Sequence, residues 1–294
     1  MAIDITIRLR EYAELTEKAL DGYLSADSVP DPTLVEAMRY STLGGGKRIR
    51  AFLTFCFSKM FGGSDEKALP FACAVEMIHA YSLIHDDLPS MDDSPLRRGK
   101  PSCHVKYGEA TALLAGDALL TYAFDVLSEN RSVSDKSVRL SAGILAHLAA
   151  QHGMCGGQSI DLSDNIASEN DLFELYYLKT GALIEASCLL GYYSACDDPN
   201  PDVVGNIKDY ARLLGIAFQI HDDILDVTGD PEFIGKPVGN DERTDKKTIL
   251  YFRDLKSAER LEYDLTVSAI DAVTDYADSD GPCQLAVWLM SRKK

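Results

Sequence analysis

The sequence predicts an all-α fold, formed as one domain by the whole chain, residues 1–294. Three observations support this prediction. Apolar residues recur mainly at the three- and four-residue spacing of helices. No stretch alternates apolar and polar residues over the length of a strand, and no strand–helix–strand repeat is present. No linker separates halves of different composition. We therefore expect a bundle of roughly ten or more helices.

The first third of the chain predicts four helices. The first is amphipathic, and Pro30 and Pro32 separate it from the second, because proline interrupts a helix but is tolerated in its first turn. The second helix ends at three consecutive glycines, and Pro89 ends the fourth. These helices cover residues 1–24, the stretch from Pro32 to Gly44, residues 51–61 and residues 68–85.

The rest of the chain predicts further helices joined by polar segments. A polar loop is expected after Asp161, running to Asn170, and a second polar stretch from Thr228 to Thr248 contains glycine, proline and lysine. The predicted helices cover residues 109–127, 137–153, 171–193 and 202–224, with a helical remainder from 250 to 294.

Composition restricts the classes of partner. The net charge of −17 argues against nucleic acid and anionic membrane surfaces. No uncharged apolar run reaches roughly 18 residues, and the N-terminus lacks the pattern of a signal peptide, so we expect no membrane insertion. The seven cysteines form no CxxC pair, which favours reduced thiols and a cytoplasmic location.

Two near-copies of one hexapeptide stand out. They are Leu83-Ile84-His85-Asp86-Asp87-Leu88 and Gln219-Ile220-His221-Asp222-Asp223-Ile224, which are 222 − 86 = 136 residues apart. An unpaired carboxylate at a buried helix end is costly, and Mg²⁺ prefers oxygen ligands, so the pairs predict divalent-metal sites. One Asp-Asp pair alone would favour a solvated helix end, but the repetition favours metal. Further aspartates follow each copy: Asp92 and Asp93 after the first, Asp226 and Asp230 after the second.

Basic residues accompany the acidic clusters. Three glycines, 44–46, precede Lys47-Arg48-Ile49-Arg50, a pattern suited to binding an oxyanion or a diphosphate. The alternative is a flexible loop with a solvated basic turn. Arg97 and Arg98 follow the first aspartate cluster, where arginine forks suit phosphate oxygens. The alternative there is a salt-bridged Asp–Arg turn that needs no ligand.

Two further segments contain lysines suited to anions. Lys179 lies between apolar residues of a predicted helix, so its ammonium group requires an anion nearby. Lys236 lies in the polar stretch 228–248, whose composition fits a lid that closes over a phosphate. A plain surface loop is the alternative. Asp222 and Asp226 share one helix face, with Gln219 on the same side.

Taken together, these motifs resemble the trans-prenyl diphosphate synthases, specifically the bacterial farnesyl diphosphate synthase type. The resemblance extends over nearly the whole chain, with the motifs in the expected order. It implies the isoprenoid synthase fold, in which helices surround a central cavity. The matching motifs are residues 44–50, 76–93, 96–99, 114–117, 153–158, 179–184, 218–226 and 235–237.

The resemblance also implies roles for individual residues. Three Mg²⁺ ions per active site would bind the diphosphate of an allylic substrate, two of them through the first aspartate cluster. The resemblance assigns catalytic roles to Lys179, Thr180 and Gln219. The same three residues also belong to the implied allylic diphosphate site. The metal ligands are Asp86, Asp87, Asp92, Asp222, Asp223 and Asp226; the isopentenyl diphosphate site is Lys47, Arg50, His79 and Arg98; the allylic diphosphate ligands are Arg97, Lys179, Thr180, Gln219, Lys236 and Lys246.

The implied reaction condenses isopentenyl diphosphate with dimethylallyl or geranyl diphosphate. Tyr81 and Ser82 lie five and four residues before Asp86, about 5–7 Å deeper along the helix. A tyrosine there would stop the growing tail after two or three isoprene units, which favours a C15 product and leaves C20 as the alternative. The resemblance further implies a homodimer.

Other functions are less consistent with the sequence. A class I terpene cyclase shares the metal-triggered ionisation but needs no second diphosphate site. A non-catalytic subunit would be expected to have lost aspartates or basic ligands. A dinuclear-metal hydrolase would recruit His85 and His221, which we interpret instead as supports for the neighbouring aspartates. Ser94-Pro95 departs from the more acidic continuation of many relatives, which bears on metal binding.

Overall fold

A computed structural model describes residues 4–27, 29–163, 165–228 and 247–292. Helices dominate these residues, which confirms the all-α prediction. The chain forms two compact units, each described by itself below. Unit 1 contains Met1–Ala142 and Leu190–Asp197, and unit 2 contains Gly143–Leu189 and Asp198–Lys294. The expectation of a single domain stays a prediction.

The N-terminal helices of unit 1 begin at capping residues. Asp4 and Asp31 accept backbone N–H groups of the first turns of α1 and α2, and Ser64 does the same for α4. Because Ser64 caps the chain there, α4 starts before the residue 68 expected from apolar spacing. The helices are α1 (Ile5–Tyr23), α2 (Pro32–Thr42), α3 (Ile49–Met60) and α4 (Asp65–Asp86).

The core of unit 1 is aromatic around α3. Phe52, Phe55 and Phe57 are fully buried, as is Phe71 of α4. Tyr12 of α1 stacks on Phe55 with ring centroids 4.5 Å apart. A buried aromatic side chain removes a large apolar area from water, so α3 is the element on which α1 and α4 pack.

A short hairpin follows the first aspartate cluster. Strands β1 (Leu96–Arg97) and β2 (Lys100–Pro101) pair antiparallel. The turn residues Arg98 and Gly99 both have positive φ, 53° and 73°, as a two-residue type I′ hairpin turn requires. Three helices come next: α5 (Cys103–Tyr107), α6 (Glu109–Ser128) and α7 (Asp135–Ala149).

Helices α4 and α6 are long and apolar enough to cross a membrane by length and composition alone, a test that core helices of soluble proteins also pass. Most of the apolar stretch of α4 is buried within the protein. Helix α6 differs, because Leu113 and Leu114 are 46% and 56% exposed. The expectation of no membrane insertion stays a prediction.

In unit 2 the observed helices differ from the predicted ones in two places. Helix α8 was not predicted and extends two residues into the loop expected after Asp161, and a π-helical turn, Tyr177–Gly181, interrupts the predicted helix 171–193. The elements are α8 (Met154–Ser163), α9 (Glu169–Tyr176), the π-helical turn, α10 (Ala182–Ala195), α11 (Pro201–Thr228), α12 (Ile249–Phe252), α13 (Leu255–Asp271) and α14 (Asp280–Ser291).

The core of unit 2 forms around α11. Ile216, Ile220 and Ile224 recur at four-residue spacing on one face of that helix and are buried. They pack with apolar residues of α9, α12 and α13, among them Leu172 and Ile249. This packing fixes the rotation of α11 about its axis, and therefore which of its aspartates face the interior.

Candidate active site

The first aspartate cluster lies where α4 ends. The chain turns back after Pro89, and the backbone N–H of Asp92 donates to the carbonyl oxygen of Asp86 at 2.9 Å. Asp93 adopts positive φ, 47°, in the same turn. The sequence predicted this return, and it brings Asp86 and Asp92 together at one end of α4.

Asp87 differs from its neighbour Asp86. Its side chain is 3% exposed and accepts a fork from Arg97, with Nη2 to Oδ1 at 2.6 Å and Nε to Oδ2 at 3.0 Å. The structure therefore shows the salt-bridged turn that was the alternative for Arg97. A role of Asp87 in metal binding stays a prediction, as does the binding of diphosphate by Arg97.

His85 packs against α6. Its Nε2 lies 3.1 Å from the carbonyl oxygen of Leu113, and its ring meets that of Tyr81 edge to face. Gly116 provides the space, because a Cβ there would fall 2.1 Å from His85 Nε2. The ring thus joins α4 to α6 next to Asp86, and the predicted support of that aspartate by His85 stays a prediction.

Replacing Gly116 by alanine is expected to destabilise the protein. Alanine gains up to about 1 kcal/mol of helix propensity, but the His85 ring must leave its site and lose both contacts, a net cost of about 1–2 kcal/mol. Urea unfolding measures the change. Gly143→Ala in α7 is the matched control, because nothing lies within 4 Å of its added Cβ. Equal stability of the two variants would contradict the prediction.

The glycine loop holds an arginine. The guanidinium group of Arg98 donates to the carbonyl oxygen of Gly45. A Cβ on Gly46, whose φ is +130°, would fall 2.9 Å from Arg98 Nη2. The glycine loop is therefore in close contact with Arg98, one of the residues predicted to bind isopentenyl diphosphate; anion binding at the glycines stays a prediction.

The basic residues after the glycines have different surroundings. Arg48 turns inward, where its side chain is 3% exposed and pairs with Glu76 and Glu17, each at 3.1 Å. It is therefore a structural ion pair, and the idea of three cations facing one anion is wrong. Lys47 is exposed and Arg50 is partly buried.

Arg50 and His79 share a positive environment with Arg98. The Arg50 Nε is buried and has no hydrogen-bond partner among the described residues. Burial, followed by Arg50 and Arg98, holds the pKa of His79 well below 6.5. His79 is thus neutral at pH 7 and offers a hydrogen bond to an anion, while the charge comes from the arginines.

The depressed pKa of His79 makes stability depend on pH. The folded state excludes a proton that the unfolded chain binds near pH 6.5, so stability is retained above that pH and lost below it. The unfolding free energy of wild type, relative to that of His79→Gln, should fall by about 1 kcal/mol for each pH unit below about 6.5. Denaturant unfolding measures this, with the exposed His152→Gln as control; a constant difference would contradict the prediction.

The second aspartate cluster lies on α11. Asp223 is buried, and its Oδ2 accepts the Tyr176 hydroxyl and the backbone N–H of Ile249, the latter at 2.9 Å. Asp222 is 42% exposed at its side chain and receives Nη2 of Arg292 at 2.7 Å. Asp226 is partly exposed. The two members of this pair therefore have different surroundings, as Asp86 and Asp87 do.

The π-helical turn presents Lys179 and Thr180. Gly215 allows α11 to approach the π-helical turn closely, since a Cβ added at this position would lie 2.4 Å from the Cα of Gly181. The hydroxyl of Thr180 donates to Oε1 of Gln219 at 2.7 Å. The expected grouping of Thr180 with Gln219 is therefore observed.

The anion near Lys179 is a residue that the sequence did not single out. Its Nζ lies 2.6 Å from Oδ2 of Asp161 on α8. Gly157 lets α8 approach, because a Cβ there would be 2.3 Å from the backbone nitrogen of Lys179. Asp161 follows Gly157 by four residues on the same helix face, a spacing from which it was predictable. Lys236 and Lys246 lie outside the described residues.

The donor chemistry of both clusters fits Mg²⁺. The candidate ligands are carboxylate oxygens, which hard divalent cations prefer. Among the described residues no group of three or more His, Cys, Asp or Glu side chains is arranged so that it could hold a metal ion by itself. Metal binding by these aspartates stays a prediction; Mg²⁺ generally keeps water or substrate phosphate in the positions that protein ligands leave open.

Comparison with known proteins identifies the family. Residues 31–275 match the family described as polyprenyl synthetase. The chain belongs to this family. It is 40% identical to farnesyl diphosphate synthase of Escherichia coli, with 99% of this chain and 100% of the relative covered. It is 43% identical to geranylgeranyl diphosphate synthase of Cyanophora paradoxa, with 86% of each covered.

The structural comparison agrees. The fold matches a crystal structure of an FPP/GFPP synthase from Zymomonas mobilis in its apo form, with a TM-score of 0.87, 33% identity and coverage of 99% of this chain and 100% of that one. The chain is therefore a prenyltransferase of the isoprenoid synthase fold, as predicted. Its family is generally Mg²⁺-dependent and uses isopentenyl and allylic diphosphates.

Proposed function

We propose that this polyprenyl synthetase makes farnesyl diphosphate, C15, from isopentenyl diphosphate and the dimethylallyl and geranyl starters. The observation that carries the C15 assignment is Tyr81, which is 5% exposed on α4, about 7 Å before Asp86. Its ring meets that of His85 edge to face, with the ring centroids 5.7 Å apart. The alternative product is C20, because the similar proteins include a geranylgeranyl diphosphate synthase.

We assign three Mg²⁺ ions to the aspartates. The ligands would be Asp86 and Asp92 with Asp87, and Asp222 and Asp226 with Asp223. When bound, the ions would withdraw negative charge from the diphosphate leaving group. The structure supports a hierarchy within each pair, because Asp87 and Asp223 are buried and hydrogen-bonded while Asp86 and Asp222 are more exposed.

We assign the two substrates to separate basic groups. Arg50 and Arg98, with Lys47 and neutral His79, would bind isopentenyl diphosphate; the arginines supply charge and His79 a directed hydrogen bond. The allylic diphosphate would be bound by cationic side chains that include two outside the described residues. This second group is Arg97, Lys179, Lys236 and Lys246.

Thr180 and Gln219 would stabilise the developing positive charge on the allylic fragment. Their hydrogen bond fixes both side chains, so their oxygen dipoles need not reorganise when the C–O bond breaks. Thr180 is 8% exposed, which limits water that would otherwise trap the cation. The proton lost after condensation would pass to the departing diphosphate.

A product assay tests this proposal. Purified protein with Mg²⁺ and isopentenyl diphosphate is given the C5, C10 or C15 allylic diphosphate in separate reactions, and product length is read by mass after dephosphorylation. C15 from the two shorter starters, with no extension of the C15 starter, is expected. A C20 product would support the condensation reaction but would overturn the C15 assignment.

We also propose a cytoplasmic homodimer. Exposed Leu113 and Leu114 give α6 an apolar face that burial against a second copy would remove from water. Sedimentation velocity is expected to give twice the monomer mass, and Leu114→Arg to shift the protein towards monomer. Val287→Arg is the control, because Val287 is a similarly exposed residue of α14. A wild-type monomer would refute the dimer.

A further inference from the structure

Asp222 already has a cationic partner within its own unit. Nη2 of Arg292, the residue that follows α14, lies 2.7 Å from Oδ1 of Asp222. The side chain of Arg292 is 10% exposed, whereas that of Asp222 is 42% exposed. The arginine therefore reaches the carboxylate from the interior, and the other side of the carboxylate faces solvent.

Further contacts hold the Arg292 side chain in place. Its guanidinium lies over the ring of Phe218, 3.9 Å from the ring centre, and Nη2 also donates to the Phe218 carbonyl oxygen at 3.3 Å. Nε donates to the carbonyl oxygen of Leu289 at 3.1 Å. Phe218 and Leu289 contribute only neutral groups. Among these contacts, Asp222 is therefore the group whose negative charge balances that of the arginine.

The backbone of Arg292 is fixed as well. Its carbonyl oxygen lies 3.0 Å from Nε2 of His221, and Nδ1 of His221 lies 2.8 Å from Oε1 of buried Glu262. His221 immediately precedes Asp222 on α11. Arg292 is thus joined to the second aspartate cluster through both its backbone and its side chain.

We propose that Arg292 is the internal counter-ion of Asp222 and that a divalent cation binding there displaces it. This inference rests on the proposed role of Asp222 as a metal ligand. A cation bound about 2 Å from Oδ1 would lie within about 5 Å of the guanidinium, and two cations at that distance repel. Metal binding is then coupled to release of the Arg292 side chain from α11.

The binding of Mn²⁺ tests the coupling directly. Free Mn²⁺ is counted by its electron paramagnetic resonance signal, which needs no substrate or turnover. Arg292→Gln removes the competing charge and keeps a hydrogen-bonding side chain, so Mn²⁺ should bind about fivefold more tightly, at the low end of coupling between linked sites. Arg292→Lys keeps the charge and should bind Mn²⁺ as wild type does.

Arg260→Gln is the matched control. It removes the same charge from an exposed i,i+4 ion pair with Asp264 in the same unit, and should leave Mn²⁺ affinity unchanged. Equal affinity of wild type and Arg292→Gln would overturn the inference, as would an equal gain in the Arg260 variant. Asp222→Asn in the Arg292→Gln background should weaken binding; failure to do so would instead refute Asp222 as a ligand.

Trp288 supplies an independent readout. It is the chain's one tryptophan and lies four residues before Arg292, at the end of α14. Mg²⁺ alone is expected to change its fluorescence in wild type, because the C-terminal end of α14 loses the side-chain contact of Arg292 with α11. The change should be lost in Arg292→Gln. The same response in both proteins would overturn the inference.

Discussion

Asp86→Asn is expected to lower kcat/KM for the condensation by about 10²–10³-fold. Asparagine keeps the shape of the side chain but removes the charge with which Asp86 would attract Mg²⁺. The carbonyl oxygen of Asp86 still accepts from Asp92, so the turn after α4 is preserved and stability should change little. Steady-state kinetics over a range of Mg²⁺ concentrations, together with thermal unfolding, measure the two effects.

Asp87→Asn provides the contrast, because the structure gives Asp87 a different environment. Its substitution breaks the fork with Arg97 and should cost about 1–2 kcal/mol of stability, the partial exposure of Arg97 limiting the loss. Asp125→Asn, at an exposed position of α6, controls for the loss of one negative charge and should change neither property. Near-normal activity of Asp86→Asn would contradict the metal assignment.

Tyr81→Ala is expected to change the main product from C15 to C20 or longer. The substitution removes the buried ring about one and a half turns before Asp86 and leaves space for at least one more isoprene unit. It should also destabilise the protein by about 3 kcal/mol, as large-to-small core substitutions do. Mass analysis of products from the C10 and C15 starters gives the chain length.

Tyr12→Ala is the matched control for this effect. Tyr12 is similarly buried, but it stacks on Phe55 and donates to Asp65, the first residue of α4, about 30 Å along that helix from Asp86. Its loss should reduce stability and leave the product at C15. If Tyr81→Ala still ends synthesis at C15, Tyr81 is not the residue that limits the chain.

The sequence determined the fold class and the motif residues. Helical spacing predicted α11 and most of α4, and Pro89 predicted the return of the chain towards Asp86. These features depend on neighbours a few residues apart, which the order of amino acids specifies directly. The resemblance also implied that Thr180 and Gln219 lie at one place, whereas the hydrogen bond between them and the contact of His85 with α6 came only from the structure.

The tertiary structure decided which charges face each other. Adjacent aspartates look alike in sequence, yet Asp87 is buried in a fork from Arg97 while Asp86 is more exposed, and Asp223 is buried against Tyr176 while Asp222 meets Arg292. Arg48 looked like an anion ligand until its ion pair with Glu76 was seen. The rotation of each helix is set by burial of its apolar face, and partners from 10 to 70 residues away in these pairs then determine the environment of the charge.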